Sequence, residues 1–419
     1  MMASHGELDV RTSAQCLISL DEACEKAAHH VTPIDRHEGV SLLDAMDRVL
    51  AEQIFARIAL PPFDQSAMDG YAFAASSIGR IEAELSIVSR IAAGGSSGPL
   101  PAGTAARIFT GAPIPRGADT VVMQEHVRRD GSRLKIDDPV RPGSNVRRHG
   151  EDIAKGELLL HSGLRLDARH LALLAAQGFS KVQVLKRPRV VIVSTGDELR
   201  QPGETLGEAG VYDSNRTMLL ALARRAGLDA IDGGNILDDA QAMALRLSAL
   251  AESSDLIVTT GGASIGEEDH SAAALAASGS TVETLKIAIK PGKPAVVGRI
   301  GHAAYLGLPG NPVSALVAWL TVGSAMISKL YGMMPQRRIG YSIATVSAFE
   351  RKVGKAEFVP GRLVSTDRGL RVEILGRGGS ARLKPLIHAD GLAEIGASAG
   401  NLSPGDYVLF HSFRGGFAT

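Results

Sequence analysis

The chain alternates between stretches whose apolar residues recur three and four positions apart and stretches where they come in short runs between glycines and prolines. Helical spacing marks DEACEKAAHHV and SLLDAMDRVLAEQI within residues 17–57. From Pro61 to about Arg148 the runs shorten to ARIFTG, DTVVMQ and RLKI among many Gly and Pro, which predicts a β-rich domain with functional loops. Helical spacing returns in LDARHLALLAAQGF, so residues 58–148 read as a β-rich insertion in a mixed helical/β linker domain of residues 17–57 and 149–185. Residues 186–334 then alternate strand and helix patterns: RVVIVST, NRTMLLALARRAG, DAIDGG, DDAQAMALRLSALAESS, DLIVTT, a helix from about Asp269, TLKIAI, PAVVG, AAYLGL and a last helix. Such alternation predicts a doubly wound, mostly parallel sheet, whose ligands sit beyond the carboxyl ends of the strands. Residues 335–419 return to strands (RRIGYSIATV, LVSTD, LRVEIL, DYVLFHS) and predict a small C-terminal β-barrel-like domain. The expected fold class is multidomain α/β.

Composition narrows the partners. A chain of 419 residues exceeds the size at which single cores stop growing, about 250–300 residues, so several domains are expected. Lys plus Arg (45) balances Asp plus Glu (45), so no global field draws in nucleic acid or an anionic membrane, and a small-molecule partner is expected. Cys16 and Cys24 show no metal-ligand spacing and read as free thiols. The opening MMASHGELDVRTSAQ lacks a signal pattern, and VSALVAWLTVGSAMI is broken by Ser314, Thr321, Gly323 and Ser324; a soluble, cytoplasmic protein is expected.

Two strands, ending at Gly196 and Gly262, close on the same hydroxyl-hydroxyl-glycine step and then release acids. Asp197 and Glu198 follow the first; Glu267, Glu268 and Asp269 follow the second. If the strands are parallel neighbours, these acids meet on one rim. Carboxylates about 4 Å apart repel by roughly 1 kcal/mol in water and roughly 4 kcal/mol at an effective dielectric of 20, so a divalent cation is the natural counter-charge. Oxygen donors without Cys or paired His favour magnesium, which keeps waters and phosphate oxygens in its shell. Glu267 and Glu268 suit a plain helix start equally well. Asp213, Ser214 and Asn215 are three cap-type residues in a row where one suffices, which favours a ligand loop. LKIAIKPGKP places Lys286 and Lys290 four apart in an expected strand, on one face, where two ammonium groups suit a polyphosphate; Lys293 either joins them or faces solvent. In LPGNPVSAL, Asn311 and Pro312 open a helix whose free amides point toward the strand ends. The insertion offers Asp64 in PPFDQSAMDGYAF, Thr110 in FTGAPIPRGAD, and Arg147, Arg148 and Asp152 in NVRRHGED. Asp69, before Gly70, reads as a turn former.

Taken together, PPFDQSAMDGYA, FTGAPIPRGADTVVMQE, NVRRHGEDI, STGDEL, YDSN, TTGGASIGEED, KIAIKPGKP and LPGNPVS resemble the MoeA family of molybdopterin molybdenumtransferases and the corresponding domain of gephyrin. The motifs keep the family's order from residue 61 to 314. The resemblance implies an enzyme that inserts molybdate into adenylated molybdopterin with magnesium-dependent release of AMP. It also implies a homodimer joined through the linker domain, each cleft combining the insertion of one subunit with the α/β domain of the other. A contact with the molybdopterin adenylyltransferase is among the implied partners. Positions matching the family's functional residues are Asp64, Thr110, Asp152, Glu198, Asp213, Asp269, Lys286 and Lys290, with Pro309 and Pro312 shaping the loop. Gln65 departs from the family's usual Asn. On this footing Asp64, Asp152, Glu198 and Asp269 are the catalytic candidates, and Glu198, Asp213 and Asp269 the magnesium candidates. Substrate falls to Thr110, Lys286, Lys290, Pro309 and Pro312, joined on chemical grounds by the backbone at Gly261, Gly262 and Ser264; molybdate, an anion, needs Arg or backbone donors, for which Arg147 and Arg148 are the candidates. Two rivals stand beside this reading: molybdopterin adenylation, because the α/β domain alone resembles that enzyme, and a non-catalytic gephyrin-like scaffold. The long insertion and terminal β-domain argue against the first, the retained acids against the second.

Overall fold

The computed structural model describes residues 17–78, 83–96, 98–261, 275, 280–292, 294–333, 339–376 and 381–414. The chain forms two compact units: Met1–Glu38 with Asp47–Val49 and Val184–Thr419, and Gly39–Met46 with Leu50–Gln183.

In the larger unit, six strands lie in the order Asp229–Ile236, Arg189–Thr195, Leu256–Thr260, Ala303–Leu308, Ala295–Ile300 and Thr281–Leu285. The first four run parallel; Ala295–Ile300 pairs antiparallel with both of its neighbours, so Thr281–Leu285 at the edge runs with the first four. Successive side chains of a strand point to opposite faces, and both faces here are apolar. Val190, Ile192, Leu256 and Val258 pack with Leu219, Ala223 and Trp319 on one side. Val191, Val193, Ile257 and Tyr305 pack with Met243 and Leu247 on the other. Helices therefore cover both faces, as expected of a doubly wound sheet. The helical segment Pro312–Leu330 is long and apolar enough to cross a membrane by length and composition, but 78% of its most apolar 18-residue window is buried. Trp319–Gly323 within it makes a π-type turn, and Thr321 returns its hydroxyl to the Val317 carbonyl at 2.6 Å.

A second sheet in this unit runs Ile289–Lys290, Ala356–Thr366, Gly391–Ile395, Tyr407–Ser412 and Tyr341–Ala344, with Gly369–Ile374 paired to the long second strand. Phe349, Val372, Ala393, Val408 and Phe410 fill its core. It takes in Ile289–Lys290, which chain order groups with the parallel sheet. The helix Leu20–His29, capped by Ser19, also belongs to the larger unit, burying Leu20, Ala23 and Ala27 in the same core as Trp319 and Leu330.

The smaller unit holds a six-stranded sheet in the order Thr120–Met123, Gly70–Phe73, Thr104–Ile108, Ala83–Ile91, Arg133–Ile136 and Arg128–Asp130. Period-two alternation again splits its side chains. Tyr71, Phe73, Ala105 and Val122 enter one core, and Ala72, Ala106, Ile108 and Val121 the other. The helix Ala168–Ala176 is capped reciprocally by Asp167 and His170. Gln177 just beyond it accepts from the Arg57 and Ile58 amides at 2.8 and 3.1 Å.

The helix expected in SLLDAMDRVLAEQI does not form. Only Leu43–Ala45 makes a short 3-10 turn; Asp47 then takes φ 59°, and Leu50 exchanges backbone bonds with Gly163 and Leu164. Tertiary pairing overrides the local spacing there.

Candidate functional site

In the larger unit the two echoing strands are parallel neighbours, with Val190 opposite Leu256 and Ser194 opposite Thr260. Both strands finish in glycines with left-handed φ, Gly196 at 146° and Gly261 at 107°. A side chain on Gly261 would overlap the Thr195 carbonyl oxygen, so only glycine allows the two strand ends to approach this closely. Asn215, from the start of the helix Ser214–Arg225, ties three loops together. Its amide donates to Thr260 Oγ1 and to the Gly310 carbonyl, each at 2.8 Å, while Thr260 Oγ1 donates to the Pro309 carbonyl at 3.2 Å. Pro312 opens the next helix behind Asn311. Thr195 Oγ1, Asn215 Oδ1 and Asn235 Oδ1 are buried at this rim without a hydrogen-bond partner among the described residues. Unspent buried polar capacity of this kind costs about 1–3 kcal/mol per group and calls for a functional account.

The rim acids differ in setting. Glu198 is exposed, its carboxylate folded back against Gly196, and Asp197 accepts from the Asp238 amide at 3.1 Å. Asp213 is 3% exposed. Its Oδ1 caps the helix through the Arg216 amide at 3.1 Å, and its Oδ2 accepts from Arg216 Nε at 2.9 Å and from Ser194 Oγ. Arg216 reaches on to Asp232 at 2.7 Å. Both oxygens of Asp213, expected as a magnesium ligand, thus take part in a buried ion pair and a cap. Gly262, Ser264, Glu267, Glu268, Asp269 and Lys293 lie outside the described residues. Among the described residues no three Asp, Glu, His or Cys side chains gather around one point.

The two lysines do not share a strand. Thr281–Leu285 ends before Lys286, and Ile289–Lys290 joins the other sheet. The segment between them is gripped by backbone bonds. Ile18 donates to the Lys286 carbonyl at 3.0 Å and accepts from Ala288 at 2.9 Å, and Ala356 donates to the Ala288 carbonyl at 2.9 Å. Pairing on both flanks pulls the segment off the edge of the first sheet.

In the smaller unit, three loops are knitted by main-chain bonds. Ser66 donates to Ala112, Gly111 to Ser66 and Ile114 to Asp64, while Gln65 pairs with Arg147. They carry Asp64, Thr110 and Asp152. Asp64 accepts from the His149 amide at 2.7 Å and from Arg148 at 2.8 Å. The bond from the His149 amide is the largest influence on its carboxyl; burial opposes it, Arg148 reinforces it, and the group is held below the ordinary aspartate range. Arg147 pairs with Glu151 at 2.8 Å. The two arginines assigned to molybdate are therefore each matched to a carboxylate, although both stay about half exposed. Asp152 is exposed, with its amide bonded to Leu60 at 3.0 Å. Asp69 is more than a turn former: its Oδ1 accepts from both the amide and the hydroxyl of Thr110 at 2.8 Å. The Thr110 amide is the leading cause that lowers the Asp69 pKa. Sequence spacing gave no sign of this partnership, since the two residues lie 41 positions apart.

Comparison with known proteins places these features. Residues 18–178 match the MoeA N-terminal region (domain I and II), 191–329 a probable molybdopterin binding domain, and 345–413 the MoeA C-terminal region (domain IV). A molybdopterin molybdenumtransferase of Haemophilus influenzae is 34% identical over 404 residues, covering 95% of this chain and 99% of that protein. The chain belongs to the MoeA family. Molybdopterin molybdenumtransferase 2 of Mycobacterium tuberculosis is 33% identical over 371 residues, covering 85% of this chain and 90% of that protein. The crystal structure of a molybdopterin biosynthesis MoeA protein from Pyrococcus horikoshii superposes with a TM-score of 0.80 at 28% identity, covering 94% of this chain and 99% of that one. For a MoeA family member the two polar regions, the strand-end rim and the three-loop platform, fall in the matched molybdopterin-binding and N-terminal regions respectively. The donor type suits magnesium: Asp197 and Glu198 are exposed carboxylates at the described rim, and such an ion keeps waters and takes phosphate oxygens of a substrate for the rest of its shell.

Proposed function

We propose that this chain is a molybdopterin molybdenumtransferase, inserting molybdate at the dithiolene sulfurs of adenylated molybdopterin and releasing AMP. The observation that carries the reading is the rim itself. Glycines with left-handed φ at two neighbouring strand ends, and buried polar groups without a partner among the described residues, sit where an α/β sheet takes its ligand, within a chain similar end to end to molybdopterin molybdenumtransferases. Lys286, Lys290 and the backbone at Gly261, Gly262 and Ser264 hold the phosphates, with Pro309 and Pro312 shaping the loop beside them. Glu198 and Asp269 would hold magnesium, which would supply stabilisation of negative charge at the phosphoryl oxygens.

On the three-loop platform, Asp64 remains ionised at neutral pH and fixes Arg148 and the His149 backbone. Thr110, set by Asp69, presents its hydroxyl to substrate, and Asp152 offers an open carboxylate as a proton acceptor for water. Cleavage of the phosphoanhydride by water leaves the phosphate on the pterin and frees AMP; the two dithiolene thiols bind molybdenum and pass their protons to one molybdate oxygen, which departs as water. The protein works in the cytoplasm as a homodimer that receives its substrate from the adenylyltransferase. The matched N- and C-terminal regions disfavour adenylation as its own activity.

The test is incubation of the full chain with adenylated molybdopterin, molybdate and magnesium, scoring AMP and active cofactor. AMP release dependent on all three is expected, with D269N severely impaired. Wild type that releases no AMP overturns the reading, and undiminished release by D269N removes that residue from the metal site.

A further inference from the structure

Lys290 is exposed, yet its ammonium is tethered. Ile289–Lys290 pairs in parallel with Ala356–Glu357, which sets Lys290 opposite Glu357 and brings Nζ to 3.4 Å from Glu357 Oε1. The Glu357 side chain is only 4% exposed, whereas that of Lys290 is 59% exposed. A carboxylate buried this deeply needs a counter-charge, and Arg351 supplies it: its Nε lies 3.6 Å from the same oxygen and its side chain is fully buried. Arg351 is itself immobilised. Its guanidinium donates to the Ile395 carbonyl at 3.3 Å and to those of Gly396 and Lys355, and its amide donates to Asn401 Oδ1 at 2.8 Å. The order from inside outward is thus fixed guanidinium, buried carboxylate, outward ammonium. The triad keeps one net positive charge, and among the described residues the lysine spends one of its three N–H donors, on Glu357.

We propose that Glu357, braced by Arg351, is a positioning residue that presents the Lys290 ammonium to a phosphate of the ligand. The C-terminal sheet thereby takes part in binding the phosphate. A free lysine loses rotamer entropy when ordered, and a lysine already tethered loses less on meeting its anion. The inference rests on the reading that Lys290 holds phosphate.

The test is calorimetric titration of the full chain with inorganic pyrophosphate and magnesium, for wild type, E357D, K290A and the double variant. E357D keeps the charge and withdraws the carboxylate by one methylene. It should weaken binding about three- to tenfold in the wild-type background and have no further effect in the K290A background. An electrostatic role alone would leave E357D unchanged, and a general loss of fold would lower affinity equally in both backgrounds; either result overturns the inference, as does a wild type that binds no pyrophosphate. AMP release by wild type is scored separately and judges only the proposed activity.

Discussion

Replacing Asp213 by Asn tests whether this acid belongs to the fold or to a metal. Asn caps a helix about as well as Asp, so the bond to the Arg216 amide survives the change. What disappears is the negative charge beside a guanidinium that is only 6% exposed. Breaking a buried pair costs about 3–5 kcal/mol. Arg216 keeps its bond to Asp232, whose side chain is 54% exposed, so the cost falls at the bottom of that range or just below it: about 2–3 kcal/mol. For a unit of this size each kcal/mol lowers the melting temperature by about 2–4 °C, giving a fall of about 5–10 °C. D213A, which also loses the cap, should fall further by about 1 kcal/mol. The assay is scanning calorimetry beside magnesium-dependent pyrophosphate titration. A metal ligand would give the opposite signature: D213N melting within about 1 °C of wild type while losing its magnesium dependence. That result would refute the structural assignment.

Two further predictions concern the rim and the platform. Gly261→Ala forces a side chain into a left-handed φ of 107° and onto the Thr195 carbonyl, at a cost of about 3 kcal/mol; thermal unfolding checks it, and an unchanged melting temperature would contradict the close approach. Asp64 has a folded pKa below its ordinary value of 3.8, so the stability it contributes is full above that value and lost as pH falls through the depressed one. A carboxyl NMR titration of Asp64 should therefore show a midpoint below the ordinary value, and a midpoint at or above it would mean that Arg148 and the His149 amide do not hold the carboxylate in solution.

The sequence by itself determined what is local. Apolar residues on both faces of RVVIVST and DLIVTT dictate a sheet covered on both sides, and their shared endings dictate glycine at two neighbouring strand ends. Asp213 as a helix cap and Pro312 at a helix start follow from side-chain chemistry within a few residues. The tertiary structure decided what depends on distant partners. Asp213 turns inward because Ser194, 19 residues earlier, lies on the neighbouring strand and Arg216 closes over it. Asp69 and Thr110 meet, and Asp64 meets Arg148, because strand pairing brings their loops together across 41 and 84 positions. Lys286 and Lys290 share an even spacing that predicts one face of one strand. They part because Ile18 and Ala356 supply backbone partners on either side of the segment between them, and a strand follows its hydrogen bonds rather than its own periodicity.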